Sequence, residues 1–290
     1  MKKASAWKLS KRLSRKATCL PAALVSRTAS SLILASLLRI LVLFQSWARL
    51  LIIDSLVAVD YGSSVIVAKS GDSAQQGDGT DVSVRDEALR VTSEQTLASK
   101  LEVGKRIPSV KVLNQSDARP SHFQELLKSN GRWRVVIFPG DIQNARQRDR
   151  LNRLGQQLAN ANSFLKRFTP EGARYDSVIE LLAVHSAPRR AVTVFDFPEA
   201  FRPYEELDGW DYWKIFVDDE SYHEGYGRIY ENFGIDTQEG CAVIIRPDQY
   251  ISYVGRMDAY EEVDRFFSAF MIPQKHTSAK LVNGNAATPK

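Results

Sequence analysis

The stretch Cys-Ala-Val-Ile-Ile-Arg-Pro-Asp-Gln-Tyr-Ile-Ser-Tyr-Val-Gly, residues 241–255, decides the fold of this 290-residue chain. Two short runs rich in β-branched and aromatic residues flank a turn that contains Pro247 and Asp248, which is the pattern of a β-hairpin. The residues that follow carry apolar side chains at helical spacing, namely Val263, Phe266, Phe267 and Phe270. The chain is therefore predicted to close an α/β domain with a hairpin and a packed helix.

Upstream of this stretch, strand-like and helix-like patterns alternate. Short apolar runs predict strands at 110–113, 135–138, 178–184 and 214–217. Helical spacing predicts a small helix around 123–127, a long helix whose apolar stripe spans 151–168, and a helix over 222–233 that ends at Gly234. This order of elements predicts an α/β domain of thioredoxin-like fold, in which helices flank a mixed central sheet.

The junction where a thioredoxin-like redox enzyme carries its reactive cysteine has none here. That thiolate lies after an early buried strand, because the N-terminus of the next helix stabilises negative charge. The corresponding segment reads Trp-Arg-Val-Val-Ile-Phe-Pro-Gly-Asp-Ile-Gln, residues 133–143. We therefore expect a redox-inactive domain that serves as a scaffold or an interaction module.

Several segments carry a family resemblance. They read VGKRIP at 103–108, WRVVIFPGD at 133–141 and VIIRPDQYISYVG at 243–255, and VDYGSSVIV at 59–67 precedes them. In this order they resemble the C-terminal, thioredoxin-like dimerisation domain of the FAD-dependent phenol 2-monooxygenases, preceded by the last piece of the flavin domain. The resemblance covers about residues 57–273, and its family-motif positions include Arg246, Pro247, Asp248 and Tyr250.

The resemblance implies a function for the domain and leaves alternatives open. It implies a redox-inactive module that forms a homodimer or packs against a flavin domain, while FAD and NADPH belong to the full-length family enzymes. One alternative is that the chain is a fragment of a complete FAD- and NADPH-dependent phenol hydroxylase. Another is a peroxiredoxin-like thiol oxidoreductase that uses Cys241.

No catalytic, cofactor-binding or metal-binding residue is predicted. The sequence contains no G-x-G-x-x-G turn of the kind that holds the pyrophosphate of FAD, so we expect no cofactor bound by this chain alone. The four histidines lack metal-ligand spacing and are expected at surface or capping positions; they are His122, His185, His223 and His276. Cys19 and Cys241 lie far apart, one in the N-terminal segment and one in a predicted central strand, so no disulfide is predicted between them. Cys241 is predicted to be a buried apolar residue.

Aromatic residues crowd the segment 197–233. Core positions are predicted for Trp213, Phe216, Tyr230 and Phe233. The candidates for a protein interface are Trp210, Tyr212, Tyr222 and Tyr226, because Trp and Tyr combine a large apolar area with a polar tip. In a homodimer such a patch would be used by both subunits across a two-fold axis.

An arginine cluster follows the polar side of the predicted long helix, at Arg146, Arg148, Arg150 and Arg153. It fits either a solvated helix face or a surface for an anionic partner. No aromatic residues are interleaved with it, so nucleic-acid binding is not predicted.

The first 53 residues contain ten Lys and Arg and no Asp or Glu. Taking those ten from the 39 basic residues leaves 29 against all 34 acidic ones, so the basic character belongs to this segment. It fits a mitochondrial-type presequence, a signal anchor or membrane-surface helix, or non-native sequence from a misplaced start or a retained intron. A cytoplasmic location is expected, and a mitochondrial or membrane-associated one if the segment is genuine.

The predicted organisation has five parts. Residues 1–56 form the basic and apolar N-terminal segment, poorly structured or helical, and residues 57–68 the remnant of a flavin-domain end. Residues 69–100 form a polar linker, because they are too poor in apolar side chains to offset the entropy of ordering. Residues 101–273 form the thioredoxin-like domain, and residues 274–290 a disordered tail.

Overall fold

The computed structural model describes residues 59–70 and 91–274. The predictions for residues 1–56, for Cys19, for the middle of the linker and for the tail with His276 lie outside these residues. None of the helices within 59–70 and 91–274 has the length and apolar content needed to cross a membrane.

Eleven strands form one large sheet and two small hairpins within the described residues. In chain order they are β1 Lys111–Asn114, β2 Pro120–His122, β3 Trp133–Gly140, β4 Ile179–His185, β5 Tyr204–Glu205, β6 Gly209–Trp210, β7 Ile215–Val217, β8 Glu220–Ser221, β9 Gly225–Tyr226, β10 Cys241–Ile245 and β11 Ile251–Gly255.

Five α-helices accompany them in the same part of the chain. They are α1 Phe123–Leu126, α2 Ala145–Ala159, α3 Phe164–Arg167, α4 Ile229–Phe233 and α5 Tyr260–Ser268. Short 3₁₀ turns occur at Gln95–Leu97, Arg189–Ala191, Val194–Asp196 and Glu199–Phe201.

The large sheet has the strand order β11-β10-β3-β4-β7-β1-β2. Strands β3, β4 and β7 run parallel, and the other neighbours pair antiparallel. The unit β3-α2-β4, followed later by the hairpin β10-β11 and helix α5, places the hairpin beside β3. This arrangement is the thioredoxin-like topology, so the predicted fold is confirmed.

Both faces of the sheet are covered, as the apolar sequences of its inner strands require. Every residue of β4, β10 and β11 is buried. One core contains residues of α2, α3, α5 and the segment 187–201, and the other contains residues of α1, α4 and the segment 98–107. As predicted, Val263, Phe266 and Phe267 are buried on α5.

The predicted long helix is two helices. Helix α2 ends at Ala159, and α3 begins at Phe164 after a turn in which the Asn160 carboxamide accepts a hydrogen bond from the Asn162 N–H at 3.0 Å. Asparagine competes with the helix for backbone hydrogen bonds, which ends α2 here. The apolar stripe continues across the break, since Leu165 and Phe168 are buried.

The helix predicted over 222–233 is wrong in its first half, where the hairpin β8-β9 lies instead. Gly225 and Arg228 both have left-handed backbone conformations, with φ of 74° and 51°, and these interrupt a helix. Helix α4 ends at Gly234 as predicted. Phe216, Tyr230 and Phe233 are buried as predicted, but the prediction of Trp213 as a core residue is wrong, because this residue is 44% exposed.

The segment 59–70 and the described end of the predicted linker pack against the domain. Ala68 N–H donates to the Ser252 carbonyl and Glu94 N–H to the Val254 carbonyl, both at 2.8 Å, so the two segments cover the outer edge of β11. Ala98 is buried and pairs with Ile235. The boundary predicted at residue 101 therefore falls within a packed stretch.

The crossover between β4 and β7 comprises residues 186–214, and Gly155 of helix α2 lies directly against it. A Cβ on Gly155 would overlap the ring of Pro198, so only glycine permits this approach. In an unconstrained helix, alanine at such a position would stabilise by about 0.5–1 kcal/mol. At Gly155 alanine should instead destabilise the fold, because overpacking a filled site costs about 1–3 kcal/mol.

We expect Gly155→Ala to lower the free energy of unfolding by about 1–3 kcal/mol in urea denaturation. Gly62→Ala is the matched control, since a Cβ at Gly62 would meet no atom within 4 Å, and its effect should stay within about 0.5 kcal/mol. Equal effects of the two substitutions would contradict the close contact between α2 and the crossover.

Candidate functional site: a sealed redox position and exposed hairpins

The loop after β3, where a thioredoxin-type thiolate would lie, is closed by Tyr230. The Gly140 N–H donates to the Tyr230 hydroxyl at 2.9 Å, and that hydroxyl donates to the Val184 carbonyl at 2.7 Å. Burial raises the pKa of Tyr230 well above its ordinary value, so the hydroxyl keeps its proton. A Cβ on Gly140, whose φ is 75°, would overlap the Thr237 carbonyl.

One N–H group of the first turn of α2 and one of the loop before it are taken up by side chains of the protein itself. The Asn144 side chain accepts from the Arg146 N–H at 3.0 Å, and the Asp141 carboxylate accepts from the Gln143 N–H at 2.9 Å. A strand–turn–helix junction can hold a pyrophosphate only if its N–H groups are free and no carboxylate repels the phosphates. The residues present at this junction do not fit the pyrophosphate of FAD.

The free thiol of Cys241 lies inside the sheet. Cys241 is fully buried, and its partner across the antiparallel β3–β10 pair is Phe138. Burial raises the pKa of the Cys241 thiol, which disfavours the reactive thiolate. The prediction of a buried apolar cysteine is confirmed.

We expect Cys241 to be unreactive in the folded chain. In a Cys19→Ser variant, a disulfide reagent such as DTNB should label Cys241 at least about 100-fold more slowly in buffer than in guanidinium chloride, because labelling requires opening of the sheet. Any peroxide turnover should be unchanged in Cys241→Ser. Rapid labelling of the folded chain, or peroxide turnover lost in Cys241→Ser, would support the thiol oxidoreductase alternative.

His185 is buried at the end of β4, so its expected surface or capping position is wrong. Its Nε2 lies 2.9 Å from Gln115 Oε1, and the Gln115 amide in turn donates to the carbonyls of Arg189 and Val192. Desolvation lowers the pKa of His185 to about 4, partly offset by Asp219. His122 and His223 are exposed, as expected.

The depressed pKa of His185 makes stability depend on pH. Between about pH 6.5 and pH 4 the unfolded chain binds a proton that the folded chain does not, so folding weakens as the pH falls, by about 1.4 kcal/mol per unit. We expect this residue to remove about 2 kcal/mol between pH 7 and pH 5, measured by urea denaturation. His185→Gln should flatten this slope and the exposed control His122→Gln should not; equal slopes in all three chains would contradict the assignment.

The family-motif positions form the turn between β10 and β11. Arg246 pairs with Asp248 at 2.6 Å, and its guanidinium lies 4.5 Å from the ring centre of Tyr61. The Tyr61 and Tyr250 rings meet edge to face with centres 4.9 Å apart. The motif therefore fastens the segment 59–70 to the hairpin.

Gln249, within the same turn, is a positioning residue that sequence reasoning did not single out. Its amide nitrogen donates to the carbonyls of Gln124 and Leu127 at 3.0 and 2.8 Å, and its Oε1 accepts from Arg106 at 2.6 Å. Its φ of 70° is the left-handed conformation that the turn needs. One side chain thus joins the hairpin to the carboxyl end of α1 and to the loop that contains Arg106.

The four interface candidates lie on or beside two separate hairpins. Trp210 belongs to β6 and Tyr212 follows it, whereas Tyr226 belongs to β9 and Tyr222 lies in the turn before it. Tyr212, Tyr222 and Tyr226 are exposed and Trp210 is half-buried. The structure brings Trp210 together with Tyr204 and Phe195, at ring-centre distances of 5.0 and 6.1 Å.

A buried charge network holds the hairpin β5-β6 in place. Lys214 pairs with Asp176 at 2.9 Å and also contacts Glu180, which accepts from Arg134 at 3.0 Å. Arg174 extends the network to Asp211 at 3.1 Å, beside the hairpin. Burial opposes the charge of Asp176, but Arg174 and Lys214 lower its pKa overall. The sequence analysis did not identify this network. Its signal in the sequence is a charged residue at the second position of two apolar strands, Arg134 in β3 and Glu180 in β4.

The comparisons with known proteins agree with this geometry. The family model described as phenol hydroxylase, C-terminal dimerisation domain, matches residues 59–275. Phenol 2-monooxygenase fsqG of Aspergillus fumigatus is 37% identical over 190 residues, which cover 64% of this chain and 30% of that protein. FAD-dependent monooxygenase terD of Aspergillus terreus is 36% identical over 226 residues, which cover 78% of this chain and 33% of that protein.

A solved structure of the thioredoxin domain of a thiol-disulfide oxidoreductase from Bacteroides vulgatus matches with 14% identity and a TM-score of 0.34, over 57% of this chain and 98% of that one. The chain spans about a third of the length of the curated relatives it matches. Because the family model covers most of the chain, from the Tyr61 segment to the end of the last helix, this chain belongs to the family of phenol hydroxylase C-terminal dimerisation domains.

Proposed function

We propose that this domain joins two copies of a phenol 2-monooxygenase-type flavoprotein into a homodimer and takes no part in redox chemistry. The observation that carries the proposal is the pairing of a sealed redox position with exposed aromatic hairpins in one domain. Large exposed aromatic side chains are typical anchors of protein interfaces. The relatives fsqG and terD, named as monooxygenases, supply the class of the parent enzyme.

The whole-protein activity is part of the same proposal. The parent enzyme would use FAD and NADPH to hydroxylate a phenol, with both bound by a flavin domain outside the described residues. The junction at Gly140 supports this division, because it is filled by the side chains of the domain itself. A cytoplasmic location is proposed, and a mitochondrial or membrane-associated one would require a function of residues 1–56.

The interface is proposed to use Trp210, Tyr212, Tyr222 and Tyr226. The alternative partner is the flavin domain of the same polypeptide, which would cover these side chains within one molecule. The two cases differ in mass. A homodimer has twice the 32.6 kDa of one chain, whereas a surface that packs only on a flavin domain leaves this chain monomeric.

We expect the full chain to show the mass of a dimer in light scattering at micromolar concentration. Trp210→Ala should raise the dissociation constant about tenfold or more, because truncating an aromatic anchor removes about 2 kcal/mol or more. Tyr222→Ala tests the second hairpin in the same way, and thermal melting checks that both variants remain folded. A wild-type chain that stays monomeric at every concentration would contradict the homodimer.

A further inference from the structure

The tip of the β5-β6 hairpin exposes an apolar residue between two acidic ones. Leu207 is 98% exposed, and its neighbours Glu206 and Asp208 are exposed carboxylates. Within residues 59–70 and 91–274, neither carboxylate lies within ion-pairing distance of a basic side chain. The tip therefore offers a leucine and two uncompensated negative charges to solvent.

A cluster of exposed aromatic side chains lies on and beside the same hairpin. Tyr204 is 57% exposed and Phe195 is 59% exposed, and both rings contact Trp210. Arg202 lies over Phe195 and Trp210, at 5.1 and 5.4 Å from the ring centres. A contiguous exposed apolar patch of this kind marks an interaction site more often than single exposed side chains do.

The hairpin is held rigidly, so its tip is presented in one orientation. Arg174 contacts Glu205 at 3.4 Å and Asp211 at 3.1 Å, one on each side of the turn. The Asp211 N–H also donates to the Pro203 carbonyl at 2.9 Å. A preorganised loop loses little entropy on binding, which favours its use as a docking element.

A surface of opposite charge lies on the solvent side of α2. Arg146, Asp149, Asn152, Arg153 and Gln156 line this open polar face. Within the described part of the chain Arg153 pairs with no carboxylate, and Arg146 has only a 3.9 Å contact to Glu239, in which both side chains are largely exposed. Exposed pairs at such distances contribute little, so both guanidinium groups are available to a partner.

The hairpin packs against a segment that shares one side of the sheet with α2, since Trp210 contacts Phe195 at a ring-centre distance of 6.1 Å. Residues of α2 and of the segment 187–201 share one hydrophobic core, and Gly155 of α2 approaches Pro198 directly. A two-fold axis through this side can place the hairpin of one copy against α2 of another, and the reverse contact then follows by symmetry. An acidic tip and a basic helix face within one chain are complementary in such a pair.

We infer that the β5-β6 hairpin of one copy docks on the polar face of α2 in a second copy, with Leu207 at the contact and Glu206 and Asp208 facing Arg146 and Arg153. This inference rests on the proposed homodimer and assigns its contact surfaces. It places the interface on the β5-β6 hairpin, which carries Trp210, rather than on the β8-β9 hairpin, which carries Tyr226.

Single substitutions test the two surfaces separately in the full chain by sedimentation velocity. Leu207→Asp and Arg153→Glu should each raise the dimer dissociation constant about tenfold or more, since each removes a contact or creates a repulsion. Ile272→Asp and Lys128→Glu are the matched controls, because both side chains are exposed and neither belongs to the two surfaces. The controls should leave the constant unchanged.

A charge exchange and a crosslink identify the pair of surfaces. Glu206→Arg combined with Arg153→Glu should restore a large part of the affinity that Arg153→Glu alone removes. In Cys19→Ser chains, mixing a Glu206→Cys chain with an Arg153→Cys chain should give a disulfide-linked heterodimer on oxidation, in higher yield than either chain alone.

The outcomes separate this inference from the proposed function. If the wild-type chain is a dimer but Leu207→Asp and Arg153→Glu dimerise like wild type, the docking arrangement is wrong and the dimer stands. If Tyr222→Asp alone dissociates the dimer, the interface lies on the β8-β9 hairpin. If the wild-type chain is monomeric, the homodimer and this arrangement both fail.

Discussion

One phenolic hydroxyl links the carboxyl ends of the two central strands. Tyr230 accepts from the N–H at the end of β3 and donates to a carbonyl near the end of β4, at 2.9 and 2.7 Å, and it is itself carried by α4. In a buried site an unpaired backbone group costs about 1–3 kcal/mol, so this bridge satisfies groups that the sheet leaves open. The same bridge fills the place where thioredoxin-like enzymes keep a reactive group, so the hydroxyl that closes the sheet also occupies that position.

Buried ion pairs hold the amino ends of the central strands together. Arg134, Glu180 and Lys214 are buried at or beside the amino ends of β3, β4 and β7, and Asp176 completes their pairing. Breaking a buried pair on one side typically costs about 3–5 kcal/mol, because the remaining charge is left without a partner. Arg174 extends this network to Glu205 in β5 and to Asp211, which follows β6. The orientation of the hairpin is thus linked to the interior of the sheet.

Much of the fold could be predicted because its patterns are local. The closing hairpin and α5 follow from alternation, turn residues and helical spacing, and the structure places all of them as expected. The β8-β9 hairpin could not be predicted, because its interruption of the helix depends on a left-handed arginine, Arg228, as well as on Gly225. Asp218 then starts α4 late by accepting from the N–H groups of Ile229 and Tyr230, a contact between residues more than ten positions apart.

The candidate site was less predictable, because exposure is a tertiary property. Composition identified the aromatic segment but could not separate Trp213, which lies outside the core, from Phe216, which lies in it. Composition also could not show that Leu207 is exposed to solvent, because a leucine is usually assigned to a core. His185 was misplaced for the converse reason, as a polar residue at a strand end is usually exposed.

The position of the exposed hairpin explains how a scaffold of this kind can acquire an interface. Parallel strands need a long crossover, and the β4–β7 connection spans residues 186–214 while the pairing of Ala183 with Ile215 keeps the sheet in register. Substitutions at the tip of this crossover, such as at Leu207, therefore change the surface without moving a core strand. The sheet and the sealed loop at Gly140 can stay constant while the crossover determines which surface is presented to a partner.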